Sequence, residues 1–93
     1  MADKITLKTD MRVLFTGDSI TDCGRGLVHR LGTGYVRNIA RSLKKNYPEL
    51  NISIENTGIG GNTTRDLLRR WQEDCIDVRP DVLSILIGVN DLW

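Results

Sequence analysis

"LFTGDSITDCGRG", residues 14–26, leaves an apolar run and passes at once through a glycine, an acid and a hydroxyl. A buried strand that ends this way opens into a tight turn, and the turn carries Ser19 out of the core. Two further apolar runs, "ISIEN" (52–56) and "DVLSILIG" (81–88), follow "RVLFT" (12–16). The first and third runs are near-continuous, the pattern of strands buried on both faces.

Two segments of helical period separate these runs. In "GYVRNIARSLKKNYPEL", Val36, Ile39, Ala40, Leu43 and Tyr47 form an apolar stripe, Arg41, Lys44 and Lys45 take the opposite side, and Pro48 closes the helix. In "TTRDLLRRWQEDCIDVRPD" the stripe is Leu67, Leu68, Trp71, Cys75 and Val78, and Thr63 with Asp66 resembles a capping box with Asp in place of Glu. Trp71 reads as a core residue and Arg69 and Arg70 as a solvated face. The order β-α-β-α-β implies a parallel sheet with right-handed crossovers. The polar loops "TGDSITDCGRG", "NTGIGGNTT" and "GVNDLW" then lie at the carboxyl edge of one sheet, where open α/β folds bind ligands.

Composition excludes much. Ninety-three residues allow one domain, and thirteen Lys and Arg against twelve Asp and Glu give no charge bias toward nucleic acid. No apolar run matches a signal peptide or a membrane span, so the chain reads as cytoplasmic. Cys23 and Cys75 read as free thiols, and their surroundings lack metal-ligand spacing. Neither a metal nor a cofactor is expected.

Each loop admits two readings. Ser19 is either a nucleophile on a small-residue turn, with Gly17 allowing the sharp bend, or a helix cap in company with Asp18. The glycine-rich second loop is either a phosphate cradle at a helix start or the source of a Gly61 N–H aimed at an oxyanion, although it matches neither common nucleotide-binding pattern. Asn90 is either an amide donor to the same oxyanion or, like Asp91, a turn former; we favour the donor role for Asn90 and the turn role for Asp91.

The stretches "GDSITD", "NTGIGGNT" and "IGVNDLW", in this order and at this separation, resemble the first three sequence blocks of the SGNH hydrolases, also called the GDSL esterase/lipase family. The wording "GDSITDCGR", "LGTGYV" and "RDL…RW…D" is most similar to bacterial carbohydrate acetylesterases of the acetylxylan-esterase kind. The resemblance covers residues 11–93. It implies a flavodoxin-like three-layer α/β/α sandwich with strand order 2-1-3-4-5, of which this chain would form the first half. It also implies that Ser19 is the nucleophile, and that the N–H groups of Ser19 and Gly61 and the amide of Asn90 form the oxyanion hole. The substrate would be a small ester, an acetylated sugar or a lysophospholipid-like molecule.

The family's base is a histidine three residues after an aspartate, in a fourth block that this sequence lacks. His29, the single histidine, sits in the loop after the nucleophile turn and reads as a cleft-edge residue. The resemblance therefore implies that residues 1–93 are the N-terminal portion of one hydrolase domain, inactive or nearly so alone. "DVLSILIG" would be a bare sheet edge, inviting a homo-oligomer or strand-swapped dimer. Trp93 reads as a cleft wall or a frayed end. The competing expectation is a non-enzymatic α/β module that binds a small anion at its glycine-rich loop or a partner through its sheet edge.

Overall fold

The computed structural model describes residues 6–92. Strand β1 (Arg12–Gly17) is followed by a single short turn of helix, α1 (Ser19–Asp22), and then by the long helix α2 (Tyr35–Asn46). Strand β2 (Ser53–Asn56), helix α3 (Thr64–Arg69) and strand β3 (Val82–Leu86) complete the order. All three strands are parallel, in the spatial order β2-β1-β3, with Val13 opposite both Ile54 and Val82.

β1 is central because its side chains are apolar on both faces. Val13 and Phe15 pack with Ile54, Leu31 and Val36 beneath α2, whereas Leu14 packs with Leu67 and Cys75 beneath α3. One strand thus fastens a layer to each side of the sheet, and the result is a three-layer α/β/α arrangement. The Phe15 and Tyr35 rings meet edge to face with centroids 5.8 Å apart.

The helical stripes are narrower than their sequence pattern. Val36, Ala40 and Leu43 face the sheet, but Ile39 lies at the exposed margin and Tyr47 beyond the helix end, where the backbone has left helical geometry. On the second stripe Leu67, Trp71, Cys75 and Val78 pack inward, while Leu68, one position and about 100° round the helix from Leu67, is 72% exposed. A π turn at Gln72–Ile76 follows α3 and keeps Cys75 on the sheet. β3 also departs from the expected double burial. It borders the described sheet, and its Ile85 and Leu86 remain nearly half exposed.

Candidate active site

The first loop resolves the choice between cap and free hydroxyl. Asp18 is buried and caps α1, its carboxylate accepting the Ile20 N–H at 3.2 Å. Ser19 is therefore left as the first helical residue. It is exposed, and its hydroxyl makes no hydrogen bond among the described residues. Cys23, in the left-handed conformation, ends α1 after one turn by donating its N–H to the Ser19 carbonyl at 2.8 Å.

The second loop is docked on the first. Buried Asn56, at the end of β2, donates to the Thr21 carbonyl of the serine turn at 2.7 Å and to the Leu31 carbonyl ahead of α2 at 3.0 Å, and it accepts the Gly58 N–H of its own loop at 2.8 Å. A Cβ at position 58 would come within 2.6 Å of the Asp22 nitrogen, an approach only glycine permits. The Gly60 N–H donates to Asp22 Oδ2 at 2.9 Å, and a Cβ on Gly60 would lie 3.7 Å from the Ser19 Cβ. Gly61 comes next, at φ +80°, in a backbone region that disfavours side chains. Its N–H has no acceptor among the described residues, since the neighbouring N–H groups go to Asp22 and to the Ile59 carbonyl.

The third loop closes on the second. Asn90 Nδ2 donates to the Asn62 carbonyl at 3.0 Å, immediately beyond Gly61. Asp91 takes the turn role expected of it: its carboxylate accepts the Thr64 N–H and, at 2.7 Å, the Thr64 hydroxyl. The structure thus sets Ser19 beside Gly60 and Asn90 beside Asn62, with Gly61 between the two contacts.

The start of α3 already carries two carboxylates. Thr63 and Asp66 form the reciprocal capping box, each side chain accepting the other's N–H. These bonds from the Thr63 backbone and hydroxyl hold the Asp66 carboxyl below the usual carboxylate range. With Asp66 and Asp91 both aimed at the first turn, the anion cradle considered for this loop has carboxylates where its phosphate would sit.

Arg70 corrects the sequence reading. Its side chain is only 13% exposed, and its guanidinium reaches the Asn62 side chain, the Thr57 and Gly17 carbonyls and the Asp74 carboxylate. Arg69 remains on the solvated face. A helical wheel puts both arginines off the apolar stripe, and only the docked second loop turns one of them into an interior group. Its signal in the sequence was the position next to Trp71, on the flank of the buried stripe. His29 behaves as a loop residue: its Nδ1 accepts the Leu31 N–H at 3.1 Å, and no hydrogen bond joins it to Ser19. Cys23 and Cys75 are free, and burial pushes the Cys75 thiol up. The reading of Trp93 lies outside the described residues. Among the described residues no group of His, Cys, Asp or Glu side chains is placed to hold a metal, and no helix is long and apolar enough to cross a membrane.

The parallel α/β sheet thus presents a serine with no hydrogen bond to its hydroxyl among the described residues, on a strand-end turn set against a glycine turn. Residues 15–93 match the GDSL-like lipase/acylhydrolase family, and the chain belongs to it. It is 53% identical over 88 residues to an acetylxylan esterase of Geobacillus stearothermophilus, an alignment covering 88% of this chain and 40% of that protein. A crystal structure of that esterase superimposes with a TM-score of 0.89 at 49% identity, covering 96% of this chain and 43% of the other. A putative GDSL-like lipase of Parabacteroides merdae gives a TM-score of 0.90 at 48% identity, covering 98% and 45%. The chain thus spans about two fifths of the length of the relatives it matches. Crystal structures of the Geobacillus esterase include catalytic mutants in which a serine, an aspartate or a histidine is replaced by alanine.

Proposed function

We propose that this chain carries the nucleophile and the oxyanion hole of a serine esterase acting on acetylated carbohydrate. The observation that carries the proposal is an exposed Ser19 hydroxyl beside a glycine turn, neither that hydroxyl nor the Gly61 N–H finding a partner among the described residues, with the Asn90 amide held by the next residue, Asn62. Ser19 Oγ attacks the acetyl carbonyl carbon as its proton passes to a base. The oxyanion so formed is met by the N–H groups of Ser19 and Gly61 and by the second Nδ2–H of Asn90, the first being held by Asn62. The carbon–oxygen bond to the sugar breaks, the sugar hydroxyl leaves with the proton, and water releases acetate from Ser19.

Turnover requires a base that meets the Ser19 hydroxyl, and no hydrogen bond joins His29, whose Nδ1 accepts the Leu31 N–H, to Ser19. The Geobacillus esterase has catalytic mutants at a histidine and an aspartate. We infer that equivalents outside these 93 residues serve here. Without them the residual rate is set by the hole and by substrate positioning, on the order of 10³–10⁴ over water in serine hydrolases lacking a triad member. Labelling with a fluorophosphonate, followed by peptide mass spectrometry, tests the assignment. Modification confined to Ser19 supports it, and modification spread over several serines, or equal labelling after Ser19→Ala, refutes it. Release of acetate from acetylated xylo-oligosaccharide in preference to fatty acid from a lysophospholipid supports the carbohydrate substrate; the reverse order replaces it with the lipid.

The β3 border is the second proposed surface. Ile85 and Leu86 are exposed on a strand with one pairing partner among the described residues, and we propose that the isolated chain self-associates there.

A further inference from the structure

We propose that Arg70 is a positioning residue for the oxyanion hole, acting through Asn62 on Asn90 and Gly61; the inference rests on the esterase reading of the site. The guanidinium engages one fixed planar fork with both loops that reach the serine. Nη2 donates to the Gly17 carbonyl at 3.0 Å, two residues before Ser19, and Nη1 donates to the Thr57 carbonyl at 2.5 Å, where β2 gives way to the second loop. Nε donates to Asn62 Oδ1 at 2.7 Å, and the backbone carbonyl of the same asparagine receives the Asn90 amide at 3.0 Å.

Asn62 is therefore held by its side chain on Arg70 while its carbonyl orients Asn90. Gly61, at φ +80° and with no side chain to fix it, is pinned from both flanks: Gly60 through Asp22, Asn62 through Arg70. Asp74, 3.0 Å from Nη1, balances the charge of the nearly buried cation, so that it serves as a rigid brace with its charge neutralised. Five donors in a planar fork can span four separate acceptors. An ammonium on a flexible stem presents its donors from a single atom and cannot reproduce this arrangement.

Two measurements on the chain as it stands test the proposal. The first is the Asn90 side-chain amide in a nitrogen–proton correlation spectrum, identified by its loss in Asn90→Ala. In the wild type one amide proton is shifted and slowed in exchange by its bond to Asn62. Arg70→Lys and Arg70→Ala should collapse that difference at temperatures where circular dichroism shows a folded chain, and Arg69→Ala should leave it intact. The second is the rate of Ser19 modification by a fluorophosphonate, expected to fall about 10²-fold in Arg70→Ala for a displacement of the donors near 1 Å. Addition of ethylguanidinium to Arg70→Ala should recover part of both signals.

A purely structural arginine would lower the melting temperature yet leave the Asn90 signature and the labelling rate of the folded fraction unchanged, and that result overturns the proposal. Should the wild type fail to label at Ser19, the esterase reading falls, and the Asn90 spectrum alone decides whether Arg70 orients the amide. Where Arg70→Ala does not fold, Arg70→Lys carries the same two readouts.

Discussion

The Asn90 side-chain amide donates to the Asn62 carbonyl at 3.0 Å, which joins two loops separated by 28 positions in the chain. One of its two N–H groups is spent on this contact, and the proposed oxyanion role falls to the other. Asn90→Ala removes both. Loss of one oxyanion donor should slow Ser19 acylation by about 10²–10³-fold. The contact is only part-buried, so the stability cost should stay near 1 kcal/mol. Labelling kinetics and a urea titration check the two values separately.

Ser19→Ala should abolish site-specific labelling while changing stability by no more than about 0.5 kcal/mol, because the hydroxyl is exposed and bonded to nothing in the described residues. A larger loss of stability would mean that the hydroxyl caps the turn after all, in place of Asp18.

Asn56→Ala is expected to be the most damaging of these substitutions. It strips partners from the Thr21 and Leu31 carbonyls and from the Gly58 N–H, at about 1–3 kcal/mol for each buried group left unbonded. Equilibrium unfolding measures the loss; a cost below 1 kcal/mol would show that these loops are not joined through Asn56.

The Thr63–Asp66 capping box makes α3 acid-sensitive. The folded Asp66 carboxyl titrates below its ordinary value of 3.8 because it accepts the Thr63 N–H and hydroxyl. The folded state therefore binds fewer protons, and the contribution is complete above about pH 5 and fades as pH falls through the lower folded value. Thermal melts from pH 6 to pH 2 should show a drop that Asp66→Asn reduces.

Isolated chain at rising concentration should pass from monomer to dimer if β3 pairs across its free border, and Ile85→Lys should hold it monomeric. Light scattering that finds a monomer at every concentration would argue against pairing through that strand.

Much of this was legible in the chain itself. Near-continuous apolar runs flanking two helical stripes pointed to a parallel sheet, and β1 bears this out with Val13 and Phe15 on one face and Leu14 on the other, whereas the equally apolar β3 borders the described sheet with Ile85 and Leu86 nearly half exposed. The Thr63 and Asp66 spacing identified a cap because a capping box is a local interaction across one turn. Family membership was legible for a similar reason, in three short blocks whose residues are set by turn geometry. What the folded molecule alone decided were the long-range bonds: that Asp18, and not Ser19, takes the cap; that Asp91 fills the start of α3; and that Arg70, on paper a solvated cation, is the interior brace between loops. Periodicity reports which side of one helix is apolar, whereas the burial of a guanidinium depends on which carbonyls another loop brings to it, and that is known only once the loops have met.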